Sequence, residues 1–456
     1  MNMSKKTFSI KQACQVVCGV FYGPAELQEQ QITGVVIDNR KAEPGNLFVP
    51  IIGERFDGHD FIPAAFEAGA ICCLSQKEVP FAHIRVQDTL QAFQVLAGFY
   101  KSLYSVKAIG ITGSVGKTTT KEMLYSVLSQ RFAVMKSLGN LNNQTGVPQT
   151  LFRISNEDEI AIVEMGTNHF GEIESLAKMV RPDFCVYTNI GDSHIEHLGS
   201  REGILRAKCE MLPYMQPDGR VFFNADDPLL ATIPQKNIPC TSYGLASCAD
   251  VYAKDVRECG LDGTDFIACC GDLEFPVHVP APGKHMVQNA LCAIAVGLAL
   301  CMDTHSLQAG VAAYTPLAGR MLIEHTEHLT ILNDVYNANP SSVKASIDVL
   351  AAAPGRKVCI LGDMLELGEH AAEYHAETGA YAAQKGIDLV LCVGRLSVHT
   401  AAAAQKQGAE AQYFATQNEL KPLLAQALRE GDTVLVKASR GMALEKTAEA
   451  LKKLVF

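Results

Sequence analysis

The chain has 456 residues, enough for about three domains at roughly 150 residues each. Apolar residues make up 48% and charged residues 19%, which is the balance of a globular protein with ample core, not of a disordered chain. A net charge of −10 argues against a nucleic-acid or anionic-membrane binder, which would carry a basic field, yet leaves room for a local basic pocket.

The longest apolar run, Ala290–Met302, is too short to span a bilayer, so no stable membrane insertion is expected. Lys5 and Lys6 are followed by Lys11, Gln12 and Gln15, which interrupt the apolar core that an export signal needs. The 15 cysteines are odd in number, include no C-x-x-C pair, and fit small buried hydrophobes in a reducing cytoplasm.

Residues 31–54 read as short strands around turns, punctuated by Pro44-Gly45, and a helix follows near Phe61–Ala70. Asp88-Thr89-Leu90-Gln91 reads as a capping box. It opens a helix with Leu90, Phe93, Leu96, Phe99 and Leu103 on one face, just after a boundary near residue 85. From Val106 the pattern is strand (VKAIGIT), tight loop (SVGK) and helix (TTTKEMLYSVLSQ). IAIVEMG near Glu159–Gly166 and CVYTNIG from Cys185 are further buried strands. Such alternation implies a parallel sheet covered on both faces. KHMVQNALCAIAVGLALCM, from Lys284, is an apolar helix with Val287, Leu291, Ile294 and Leu298 in register. After Pro316 the alternation restarts, with strands ending at Asp334, Gly362-Asp363, Gly394 and Lys437. The fold class is therefore α/β with three domains, at 1–84, 85–314 and 315–456: a central parallel sheet with a phosphate loop, and a Rossmann-like C-terminal sheet.

Thr112-Gly113-Ser114-Val115-Gly116-Lys117-Thr118-Thr119 lies between a strand and a helix, the context a phosphate-binding loop requires. Loop amides and the helix N-terminus would face the phosphates, Lys117 would add positive charge at the β/γ-phosphates, and Thr118 or Thr119 would offer a hydroxyl to Mg²⁺. The strict pattern is not met, because Ile111 stands where its first glycine belongs and Gly110 comes one residue early. Glu164 ends the next strand, where a carboxylate can hold Mg²⁺ or order its waters. His194 follows another strand end and is a second magnesium candidate; no zinc ligand set accompanies it and His197. By pattern alone Lys208 is a solvated helix lysine. Asn289 is either a satisfied buried amide or a reader of the adenine edge, and pattern does not separate the two.

TGSVGKTTTKEM, GNLNNQTGVPQT, IVEMGTNHFGEI, NIGDSHIEHLGS with RAKCEM, and PGKHMVQNALCA together resemble the ATP-dependent Mur ligases of peptidoglycan synthesis. DVYNANPSSVKASIDVL, ILGDMLELGE and LVKASRGMALEK are similar to the branch of that family that joins D-alanyl-D-alanine to UDP-N-acetylmuramoyl-tripeptide. VIDNRKAEPGNLFVPIIGERFDGHDFI resembles the family's nucleotide-sugar-binding segment. The resemblance implies ATP bound by Gly113, Ser114, Gly116, Lys117, Thr118 and Thr119, with Asn289 at adenine, Asp334 and Asn337 facing the nucleotide, and Arg320 near the phosphates. It implies Thr118, Glu164, His194 and a carbamylated Lys208 around Mg²⁺, with Lys117, Lys208 and His194 as the catalytic set. It assigns substrate contacts to Asp38, Asn39, Arg40, Asn140, Asn143, Asn339, Lys437, Ser439 and Arg440. Asn39 stands where the family often has serine, Ala438 replaces a glycine, and Cys209 follows Lys208 where glycine is common.

The implied activity is ATP-dependent amide ligation through an acyl phosphate, by a cytoplasmic monomer that needs no nucleic acid. The C-terminal strand ends, with Asp363, Glu366, Lys437, Ser439 and Arg440, are expected to select the incoming dipeptide. A sister ligase adding a diamino acid would show an Asp-Asn-Pro-Arg string, which is missing here. Folylpolyglutamate synthase shares the core but not the N-terminal segment.

Overall fold

The computed structural model describes residues 5–456, with side chains for all of these except 234–236. The first four residues of the expected segment 1–84 lie outside that range. The chain divides into two compact units. One comprises residues 1–112, 132–186 and 209–220, and the other residues 113–131, 187–208 and 221–456.

The first unit holds a five-stranded sheet of β1 (Val20–Tyr22), β2 (Gly34–Val36), β3 (Asn46–Phe48), β4 (Cys72–Ser75) and β5 (His83–Arg85), in the order β1-β5-β4-β3-β2. All its pairs are parallel except β1 with β5. The region expected to be a helix over Phe61–Ala70 is a short 3₁₀ turn, Gly58–Phe61, running into a helix at Ile62–Glu67. The unit also carries β6 (Lys107–Thr112), β7 (Val134–Lys136), β8 (Ile160–Glu164) and β9 (Phe184–Tyr187), ordered β9-β6-β8-β7. β8 runs parallel to both β6 and β7.

The helix Thr89–Ser102 departs from its expected face. Ala92, Phe93, Leu96, Ala97 and Tyr100 are buried, whereas Leu90, Phe99 and Leu103 are only half-buried. Tyr100 draws the stripe round: its hydroxyl donates to the Ile154 carbonyl at 3.1 Å and meets the Tyr104 hydroxyl at 2.7 Å. Only half of the capping box forms. The Asp88 carboxylate accepts the Gln91 N–H at 2.9 Å, and no return bond from the Gln91 side chain is made among the described residues.

The second unit holds β10 (Arg220–Asn224), β11 (Cys240–Gly244), β12 (Val251–Glu258), β13 (Thr264–Cys270) and β14 (Leu273–Val279). β10, β11 and β12 are parallel; β12, β13 and β14 form an antiparallel meander that the sequence reading did not anticipate. The helix Lys284–Ala299 is buried from Asn289 through Gly297 without a break, so it is a core helix rather than one with a single apolar face.

The C-terminal sheet contains β15 (Leu322–His325), β16 (Thr330–Asp334), β17 (Lys357–Gly362), β18 (Leu389–Val393), β19 (Glu410–Phe414) and β20 (Thr433–Lys437), ordered β15-β16-β20-β17-β18-β19. Only β15 is antiparallel to its neighbour. Alternate side chains enter two separate cores: Leu332, Cys359, Leu361, Val390 and Leu435 on one face, Ile331, Val358, Ile360, Leu391 and Val434 on the other. Burial on both faces is why these strands read as continuous apolar runs. No helix among the described residues is long and apolar enough to cross a membrane.

Helices Ala371–Gln384 and Ser397–Lys406 cover this sheet and meet at Gly379, where a Cβ would lie 2.0 Å from the Thr400 carbonyl oxygen. Backbone cannot yield cheaply there. Gly379→Ala is expected to lower stability by about 1–3 kcal/mol, read as a lower denaturant midpoint at unchanged slope.

Candidate active site

The phosphate loop belongs to the second unit and enters the helix Lys117–Leu128 through Gly116 at φ +79°. It is braced by the segment after β9. The Asn189 carbonyl accepts the Ser114 N–H at 3.0 Å, and its Oδ1 accepts the Val115 N–H at 2.9 Å. The Thr188 hydroxyl donates to the Val115 carbonyl at 2.6 Å, and the Gly191 N–H to Ser114 Oγ at 2.9 Å. Two amides expected at the phosphates are thus spent on Asn189, and the positive end of the helix remains as the anion-facing surface. Lys117 Nζ donates to the carbonyls of Gly113 (2.7 Å) and Ser114 (3.4 Å), back over the loop.

Gly113 is fixed by close approach: a Cβ there would lie 1.9 Å from Thr188 Oγ1. Gly113→Ala is expected to displace the loop. ATP affinity measured by calorimetry should fall at least about tenfold while far-ultraviolet circular dichroism stays native.

Thr118 is buried, and its hydroxyl oxygen accepts from Arg320 Nη2 at 3.2 Å; Thr119 is half-buried beside it. Asn289 is the satisfied amide on its carbonyl side, where Oδ1 accepts from the Thr120 hydroxyl at 3.0 Å. Among the described residues its Nδ2 meets only a weak acceptor, Met286 Sδ at 3.6 Å, which leaves its second N–H unassigned.

His194 sits at φ +61°, starting the short helix Ile195–Leu198, and its Nδ1 lies 2.9 Å from Glu366 Oε2. Burial and the Lys117 charge lower its pKa, while Glu366 opposes them. Lys208, on the helix Arg201–Cys209, is not the solvated lysine that its pattern suggests: it is 2% exposed. Its Nζ makes no hydrogen bond or ion pair among the described residues. Burial, then the nearby Lys117 charge, pushes its pKa well down.

In the first unit, Glu164 is buried at the end of β8, in register with Ile111 of β6. Asn142 Nδ2 donates to its Oε1 at 2.9 Å, and the Ser137 hydroxyl accepts its N–H at 3.1 Å. Sequence reasoning passed over Asn142 for its neighbours. Asn143 Oδ1 caps the helix Gly146–Leu151 by accepting the Gly146 N–H at 2.9 Å, and Asn140 is exposed. Asp38 accepts both Nε and Nη2 of Arg40, at 2.9 and 2.8 Å, which holds its pKa at about 2; Asn39 lies between them in the 3₁₀ turn Asn39–Lys41.

At the C-terminal strand ends, Lys437 Nζ contacts Asp334 Oδ2 at 2.5 Å and the Asn337 carbonyl at 3.1 Å. Asp334 also accepts the Ser346 hydroxyl (2.7 Å) and the Met321 N–H (3.2 Å). Asn339 caps the helix Pro340–Ala351 through Oδ1 and donates from Nδ2 to Ser193 Oγ at 2.8 Å. Ser439 is a buried strut between the Leu365 N–H (2.9 Å) and the Ala338 carbonyl (3.2 Å). Asp363 Oδ1 accepts the N–H groups of Leu396 and Ser397 and the Ser397 hydroxyl, a structural role. Asn337 and Arg440 are the exposed members of this group.

The loop carrying Asp363 and Glu366 is held by buried His375. The ring donates from Nδ1 to the Ala371 carbonyl (2.6 Å), which leaves Nε2 to accept the Met364 N–H at 3.0 Å. Burial lowers its pKa, so the folded state refuses a proton that the unfolded chain accepts. The stability it contributes is complete above the unfolded value of about 6.5 and is lost as pH falls below that value and through the lower folded one. Denaturant midpoints measured from pH 7.5 down to pH 5 should fall less steeply for His375→Asn than for the wild type.

Among the described residues no group of three or more His, Cys, Asp or Glu could hold a metal by itself. Mg²⁺ needs no such cluster, because it is bound through one or two carboxylates and keeps several waters and substrate phosphates in its shell. The Thr118 hydroxyl and the His194 ring, next to a buried lysine of depressed pKa, are donors compatible with such a partial set.

Three family models match in chain order: "Mur ligase family, catalytic domain" over residues 31–100, "Mur ligase middle domain" over 111–297, and "Mur ligase, glutamate ligase domain" over 319–440. The UDP-N-acetylmuramoyl-tripeptide–D-alanyl-D-alanine ligase of Bacillus subtilis is 38% identical, covering 98% of this chain and 99% of the relative. The crystal structure of MurF from Acinetobacter baumannii superposes with a TM-score of 0.91 at 31% identity, over 99% of this chain and 100% of that one. MurF ligase from Thermotoga maritima, solved in complex with ADP, has a TM-score of 0.84 at 27% identity, over 92% and 97% of the two chains. The α/β class expected from the sequence, with its central phosphate-loop sheet and Rossmann-like C-terminal sheet, is therefore the three-domain fold of these relatives. With this identity over nearly its full length, the chain belongs to the Mur ligase family.

Proposed function

We propose that this chain is the ATP-dependent ligase that joins D-alanyl-D-alanine to UDP-N-acetylmuramoyl-tripeptide. Full-length similarity to ligases of that name supports the reading. The observation that carries it structurally is the bond from Arg320, in the C-terminal half, to Thr118 of the phosphate loop. It links the strand ends expected to receive the acceptor to the loop expected to hold ATP. A sister activity, addition of a diamino acid to the dipeptide precursor, is not favoured: the solved ligase of that name shares the fold alone, at 17% identity and a TM-score of 0.58.

In this reading the terminal carboxylate of the tripeptide attacks the γ-phosphorus and displaces ADP to give an acyl phosphate. The free amine of D-alanyl-D-alanine then attacks the carbonyl carbon, phosphate leaves, and the amine's proton passes to solvent or a nearby base. The protein mainly positions the reactants and offsets charge. Lys117 leaves its loop carbonyls for the phosphates. Arg320 meets developing negative charge, Arg440 belongs to the strand ends that select the dipeptide, and Asn337 faces the nucleotide. Asp38, Asn39, Arg40, Asn140 and Asn143 serve the UDP-tripeptide; Asn339, Lys437 and Ser439 keep the acceptor side in shape. Thr118, Glu164, His194 and Lys208 would hold Mg²⁺, which supplies electrostatic stabilisation of the phosphoryl oxygens.

Lys208 takes part as a carbamate. Burial keeps its amine neutral for part of the time, and a neutral amine adds CO₂, forming the N–C bond and releasing one proton to solvent, to become a carboxylate-like ligand. The enzyme acts as a cytoplasmic monomer, with segments near 1–84, 85–314 and 315–456 as its working domains.

Phosphate release should require both UDP-tripeptide and dipeptide, and release with neither or only one would sink the assignment. Lys117→Ala should abolish turnover without unfolding. Lys208→Ala should keep ATP affinity within about threefold yet lose most turnover, with partial recovery in added acetate or formate. Unchanged turnover in Lys208→Ala would dismiss the carbamate.

A further inference from the structure

Tyr336 has no part in the reading above, yet both arginines stand over its ring. The Arg320 guanidinium carbon lies 3.7 Å from the ring centre and that of Arg440 lies 4.9 Å from it. The topology produces this meeting. β16 and β20 are parallel neighbours with Asp334 opposite Lys437; Tyr336 follows the first by two residues and Arg440 the second by three. The Tyr336 N–H donates to the Gly319 carbonyl at 3.0 Å, which ties the ring to the turn that carries Arg320.

Two guanidinium groups on one ring repel each other. The ring quadrupole attracts both and offsets part of that repulsion, and an anion bound by both would remove the rest. Arg320 already reaches the phosphate loop through Thr118. Arg440 is exposed, and its guanidinium makes no hydrogen bond or ion pair among the described residues, so its donors are available. The Tyr336 hydroxyl makes no hydrogen bond among the described residues either, so its ring is the part in use.

We propose that Tyr336 is a positioning residue that seats Arg320 and Arg440 as a pair for the terminal phosphate of ATP. It rests on the ligase reading only in taking ATP as the nucleotide. Without the ring the two cations separate, and the phosphate that distinguishes ATP from ADP loses a two-sided contact. A residue that merely fills space would instead affect both nucleotides alike.

The test uses the full chain with Mg²⁺ and no acceptor, and compares dissociation constants for ATP and ADP. Tyr336→Leu should weaken ATP roughly tenfold more than ADP, whereas Tyr336→Phe should keep most of the wild-type preference. Pentafluorophenylalanine at position 336 keeps the shape and reverses the ring's charge distribution, and it should behave like Leu. This comparison also answers the question should the Leu variant fail to fold. Arg440→Ala should cost less in the Tyr336→Leu background than in the wild type. Equal weakening of ATP and ADP, or a pentafluorophenylalanine variant indistinguishable from Tyr336→Phe, would overturn the proposal. Phosphate release by the wild type judges the ligase reading separately, so the two can fail independently.

Discussion

Lys208 is an amine that the fold will not hydrate. It is 2% exposed, its Nζ has no ion-pair partner among the described residues, and the Lys117 charge lies near enough to oppose protonation further. An isolated buried ammonium costs several kcal/mol, so such a group sheds its proton. Between the lowered folded pKa and the ordinary lysine value the unfolded chain keeps a proton that the folded site gives up, and below that window the buried charge itself costs stability, so the unmodified residue works against folding at neutral pH. A site that retains this burden is poised for an anion. The proposed carbamate answers the constraint from within the side chain, and nucleotide phosphates answer it from outside. The positive helix end and the loop-bound Lys117 point the same way.

Most polar groups at the C-terminal strand ends are occupied with one another. Asp334 takes three donors, Lys437 joins it to the Asn337 carbonyl, Asn339 caps a helix while reaching Ser193, and Ser439 spans two loops. Buried polar groups must be paired, and here the pairing links β16, β20 and the loop beyond β17 into one framework. Solvent then reaches few members of the group, Asn337, Glu366 and Arg440 among them, and the buried ones determine where those sit. Polarity at a strand end therefore more often marks a side chain spent on the framework than one left open.

The sheets were legible because strands buried on both faces must be apolar throughout. The strands ending at Asp334, Gly362, Val393 and Lys437 show this, with alternate residues feeding two cores. The meander of β12–β14 was not legible, since its strands mix buried and exposed positions and carry charges such as Arg257 and Asp265 that pair only across strands. In the site, the phosphate loop was visible because its glycines and lysine are contiguous. Thr188 and Asn189, which brace it, and Asn142, which holds Glu164, were not, since their partners lie 73, 74 and 22 residues away. Pattern alone reads Lys208 as solvated because its own side chain is charged and Arg206 and Glu210 beside it are polar, although it falls on the helix face that buries Ile204 and Ala207.

The two kinds of cation in the second unit are accommodated differently, the lysine buried and the arginines nearer solvent. A lysine can give up its proton, so Lys208 can be buried without an anion and become chemically useful by doing so. An arginine keeps its charge at any physiological pH, so Arg320 and Arg440 cannot be neutralised in that way. They are instead laid over an aromatic ring, with Arg320 anchored on Thr118. For an acyl-phosphate ligase both solutions serve one requirement: positive charge must be in position before the phosphoryl group moves, so that no reorganisation is needed while it moves. Lysine chemistry gives the site an adjustable charge, and the arginines give it a permanent one whose geometry the Tyr336 ring determines.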